Sequence, residues 1–181
     1  MSRRLLRSVL VGTALVGLAA PGHAQDLRVT PLLRDGQVLV SFTMAGAFDD
    51  DVRAAIRSGL PTTFAYEVEI KRSVSLWFDR TIASTTVSAT VRYDTLTRRY
   101  QVTRMLDGRV ESTPHVTDSE DAVRALMTEF DKLPLFETGV LEANAEYYLQ
   151  VRARTSPRNA WFIWPWGRHQ ASSRATFTFV S

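Results

Sequence analysis

Three features of this 181-residue sequence predict a mainly β protein, an antiparallel β-sandwich with two short α-helices. These are long runs of two-residue alternation, Asp-Gly pairs at the ends of such runs, and only two stretches with helical spacing. An immunoglobulin-like layout of roughly seven or eight strands is one option. An open antiparallel sheet with both helices on one face is the alternative. The longest alternation runs from Leu60 to Arg80: Phe64, Tyr66, Val68, Ile70, Val74, Leu76 and Phe78 share one phase, and Thr63, Ala65, Glu67, Glu69, Lys71, Ser73 and Ser75 the other. Side chains on a strand alternate faces, so this is a strand with one buried and one wet face. It is longer than an ordinary strand, and Arg72 is the one charge in its apolar phase. A bend or bulge is expected there.

Residues 1–24 precede the fold. Arg3, Arg4 and Arg7 stand before an apolar run from Val9 to Ala20, followed by Pro21, Gly22, His23 and Ala24. A basic front, a short apolar middle and small residues at the end predict a secretory signal peptide, cleaved near Ala24. The apolar run falls short of the roughly 20 residues a membrane span needs. The twin arginines hint at the route for prefolded proteins, but the general secretion route fits a chain without a cofactor motif. Of 22 basic and 19 acidic residues, cleavage would remove three arginines and no acid, leaving 19 of each. The basic balance therefore belongs to the leader and gives no support to a nucleic-acid partner. The chain has no cysteine, hence no disulfide and no lipidated cysteine anchor. The expected product is periplasmic or secreted, a single β-rich domain over residues 25–181.

Asp26 to Leu33 reads as the first strand, and Arg34-Asp35-Gly36-Gln37 as a tight turn into the strand of Val38, Val40, Phe42 and Met44. From Phe48 to Gly59 the spacing lengthens, with Val52, Ala55, Ile56 and Leu60 on one side. Asp49, Asp50 and Asp51 suit the start of that helix and Gly59-Pro61 its stop. Three aspartates suggest calcium only loosely, since the spacing and the bidentate glutamate of a calcium loop are missing. Strands follow at Ala83 to Asp94, Tyr100 to Leu106 and, after Asp107-Gly108, Arg109 to Thr113. Thr117 with Glu120 predicts a capping box for a second helix whose apolar face is Val123, Leu126, Met127, Phe130 and Leu133, stopped by Pro134. The last strands are the alternation from Ala145 to Ala153 and the stretch Arg174 to Val180.

Few residues suggest chemistry. Glu67 and Glu69 share a strand face about 7 Å apart, between the carboxyl separations of the two glycosidase mechanisms, which makes a carbohydrate-active protein one alternative. A charge ladder with Lys71 and with Arg152 or Arg154 is the simpler account. His115 and His169 are far apart, both expected in loops, and in no zinc spacing. No Gly-x-Ser-x-Gly elbow, phosphate loop or His-Glu-x-x-His occurs, so the expectation is a non-enzymatic protein with no cofactor and no metal. The densest anomaly is Trp161, Phe162, Ile163, Trp164, Pro165 and Trp166, which holds three of the four tryptophans between Arg158 and Arg168. As a class such residues favour burial, here as a plug over one end of the sandwich. Exposed, Trp161, Phe162, Trp164, Trp166, Arg158 and Arg168 make an interaction surface for an envelope or membrane protein, or for the headgroup layer of a membrane.

Gly59-Leu60-Pro61-Thr62-Thr63-Phe64, Tyr66-Glu67-Val68-Glu69-Ile70, Trp77-Phe78-Asp79, Val91-Arg92-Tyr93-Asp94 and Leu96-Thr97-Arg98-Arg99-Tyr100-Gln101-Val102 together resemble an uncharacterised family of exported bacterial proteins, domain of unknown function 4390. The resemblance covers nearly all of the chain after the leader, and Asp94 stands where the family often has histidine. The tryptophan-rich segment looks like a subgroup feature. Such proteins are sometimes encoded beside membrane sensor kinases, so the resemblance implies a periplasmic accessory role for an envelope or signalling protein. It carries over no activity and no catalytic residues.

Overall fold

The computed structural model describes residues 26–75, 78–157 and 170–180, with the backbone alone for 73–75, 78, 155–157 and 170. In chain order its elements are β1 (Asp26–Arg34), β2 (Gln37–Ala45), α1 (Asp50–Arg57), β3 (Thr62–Ser75), β4 (Phe78–Asp94), β5 (Arg99–Leu106), β6 (Arg109–Val110), β7 (His115–Thr117), α2 (Glu120–Thr128), β8 (Glu129–Glu137), a 3-10 turn (Thr138–Val140), β9 (Ala145–Pro157) and β10 (Gln170–Phe179). A small sheet, β1-β2-β8, packs on a larger one, β10-β9-β3-β4-β5-β6, and β7 also pairs with β5. Every pairing is antiparallel. This is the predicted sandwich. The run of hairpins β3-β4-β5-β6 inside one sheet is a meander, unlike the strand exchange of an immunoglobulin-like layout.

The core lies between the sheets. Val38, Val40, Phe42 and Met44 of β2 meet Phe64, Tyr66, Val68 and Ile70 of β3, all buried. Phe42 stacks on Phe130 with centroids 4.6 Å apart, and Tyr66 sets its edge to Phe130 at 5.3 Å. Both Asp-Gly turns are as expected: Asp35 and Gly36, and Asp107 and Gly108, all have positive φ, which a two-residue hairpin turn of matching twist requires. Helix α1 is capped by Asp49, whose side chain accepts from the Val52 amide at 2.8 Å, so an aspartate of the triplet does cap the helix. No helix among the described residues is long and apolar enough to cross a membrane.

Several expectations need correction. The alternation from Leu60 to Arg80 is not one strand: β3 ends at Ser75, and Phe78 already belongs to β4. A hairpin between two strands of like alternation leaves the pattern looking continuous. The irregularity near Arg72 is present as a register shift between Ile70 and Lys71. Arg72 then leaves the core, donates to Glu142 at 2.6 Å and lies over the Tyr147 ring. Leu60, read as part of the apolar side of α1, is exposed. The strand expected over Arg109 to Thr113 is only Arg109–Val110, His115 stands on β7, and the last strand begins at Gln170.

Helix α2 is shorter than its apolar spacing predicts. Its cap is Ser119, which accepts from the Ala122 amide, while Thr117 accepts from the Ser119 amide just outside. The helix ends at Thr128, and Phe130, Leu133 and Pro134 lie on β8. The register slips twice where β8 meets β2, and Lys132 takes φ 47°. Such irregularities break strand alternation, so Met127, Phe130 and Leu133 fall three apart and imitate a helical face. Arg104 makes the change of direction possible. Its guanidinium donates to the Leu126 and Glu129 carbonyls at 3.0 and 2.8 Å and lies 4.4 Å from the Phe130 ring centre, serving carbonyls that the helix end leaves unpaired. Burial lowers the Arg104 pKa below its ordinary value.

Candidate functional site

The outward face of the larger sheet gathers the densest set of charged side chains among the described residues. Register places them: Glu67 stands beside Arg152, Ala65 beside Arg154, Glu69 beside Gln150 and Lys71 beside Tyr148 across β3 and β9, and Arg174 stands beside Gln150 across β10 and β9. Arg152 donates to Glu69 at 2.8 Å, and Lys71 reaches the same carboxylate at 3.1 Å. Glu67 draws Arg152 to 3.8 Å and Arg154 to 3.7 Å, both beyond hydrogen-bond distance. The predicted ladder is therefore present, with one difference: Glu69 is only 8 % exposed. Long neighbouring side chains lie over it, so the face expected to be wet holds a buried charge enclosed by two cations. Such an arrangement resists loss of one partner far more than an exposed pair does.

Beside it Tyr148 is also buried, although it lies in the polar phase of β9. Its hydroxyl donates to Asp79, and the Arg174 guanidinium sits 4.1 Å from its ring centre. Burial first, and then the bond to Asp79, raise the Tyr148 pKa above the ordinary phenol value. Sequence reasoning missed Tyr148, Asp79 and Arg174. The available signal was an aromatic residue in the phase otherwise held by Glu146, Gln150, Arg152 and Arg154.

Chemically, these groups are engaged with one another. The carboxylates of Glu67 and Glu69 lie on one strand face and share Arg152. What does open here is a groove of about 310 Å³ lined by Arg152, Ala153, Arg154, Ala171 and Ser172, where β9 and β10 run side by side. Arg154 borders it with a guanidinium that makes no hydrogen bond among the described residues. A second linked set ties the helices together: Glu120 at the start of α2 accepts from both Arg53 and Arg57 of α1. That contact is a brace between elements.

The residues singled out as an interaction surface, Arg158, Trp161, Phe162, Trp164, Trp166 and Arg168, lie outside the described residues, as do His169 and the whole of residues 1–24. In the chain they follow β9 and precede β10.

The chain belongs to the family described as Domain of unknown function (DUF4390), whose model matches residues 21–159. The match takes in β1 to β9 and stops short of Trp161 and β10, so it is narrower than the nearly complete coverage the resemblance implied. Neither a curated protein nor a solved structure matches the chain.

Proposed function

We propose that this member of the family is an exported, non-enzymatic binding module of the bacterial envelope, periplasmic or secreted after cleavage near Ala24, and that it serves an envelope or signalling protein as an accessory. Its contact surface is the run from Arg158 to Arg168. The observation that carries this reading is the chemistry of that run: tryptophans and arginines are the residue types that dominate binding energy at protein interfaces, and here they are concentrated in one stretch of a chain with no catalytic motif. Support comes also from the outward charged face, whose acids are already engaged with the protein's own cations. The test replaces Trp161, Trp164 and Trp166 together by alanine in the full chain, followed by crosslinking in intact cells and purification. Loss of a specific envelope protein is expected while the melting temperature and far-ultraviolet spectrum are kept. A folded variant that retains every partner would remove this surface from consideration.

Tryptophans between arginines also suit a membrane headgroup layer, and that reading uses the same residues. Flotation with vesicles of anionic lipid separates the two, because a protein-binding module stays at the bottom of the gradient at every lipid composition.

A further inference from the structure

We draw no further inference here: the strongest candidate, the surface patch at the end of the larger sheet where the turn from β4 to β5 exposes Leu96 and the residues before β3 expose Leu60, carries nothing because nothing among the described residues shows what covers it.

Discussion

β3 and β10 are written in the same alternating pattern, yet one is the centre of the larger sheet and the other its margin. β3 is paired on both sides, with β4 and β9, and its inward residues Phe64, Tyr66, Val68 and Ile70 are at most 1 % exposed. Its outward residues are held too, since Glu69 is enclosed by Arg152 and Lys71. Among the described residues β10 is paired on one side, its inward face is half-buried, and its one charge rests on a ring. The difference teaches that alternation reports a two-faced strand and nothing about its neighbours. How many strands flank it decides whether its backbone and charges are already in use.

Removing one aromatic ring from each strand should separate centre from margin most widely. Phe64→Ala is expected to cost about 3–5 kcal/mol, as for a fully enclosed ring whose space cannot collapse. Phe177→Ala, where the ring is half-buried against Tyr147, should cost about 1–2 kcal/mol. Denaturant unfolding of both variants checks the ratio, and equal losses would contradict the distinction between centre and margin.

A smaller effect tests whether the outward face of β3 is held by its own ions. Arg152→Ala leaves Glu69 buried with Lys71 as its remaining cation, and a loss of about 1–3 kcal/mol is expected because the charge keeps only part of its compensation. Glu67→Gln, on the same face but with its cations at 3.7 and 3.8 Å, should change stability by no more than about 0.5 kcal/mol. The pair of measurements separates the buried from the wet half of one ladder.

The inward face offers a pH-dependent contrast. The Tyr66 hydroxyl donates to the Met127 carbonyl at 2.7 Å, and burial raises its pKa well above the ordinary phenol value of 10.0. Above that value the unfolded chain releases a proton that the folded chain keeps. This contribution to stability is whole below pH ~10 and declines as the pH rises past it. Tyr66→Phe should flatten the alkaline limb of the stability profile, while costing about 1–2 kcal/mol at neutral pH for the carbonyl left without its donor. An alkaline limb as steep as that of the unaltered protein would show that other groups carry it.

Much of the architecture was legible in the sequence because its signals are local. Asp35-Gly36 and Asp107-Gly108 specify turns through their own φ angles, and the alternation of β2, β4 and β9 specifies a buried face through side chains two apart. What was hidden depended on distant partners. Nothing near Ser75 announces that β3 has ended, because β4 resumes the same alternation. Nothing near Thr128 announces that α2 has become β8, since the chain is turned there by Arg104 and by the ladder with β2. The burial of Glu69 likewise follows from Arg152 and Lys71, and that of Tyr148 from the Arg174 that lies over its ring. Of the candidate site, Glu67, Glu69, Lys71, Arg152 and Arg154 were legible as a ladder because two-residue spacing puts them in phase. Tyr148 and Asp79 were not, because the bond between them joins two strands that are not paired with each other.

We propose that the centre of the larger sheet holds the fold while a partner is bound by the run between β9 and β10. The most direct measurement is crosslinked co-purification from intact cells with three forms of the full chain: unaltered, Glu67→Gln, and the alanine replacement of Trp161, Trp164 and Trp166. The first two are expected to retrieve the same envelope protein and the third not to, with all three equally folded. Retrieval by the tryptophan variant together with loss in Glu67→Gln would contradict it and move the contact surface to the charged face of β3.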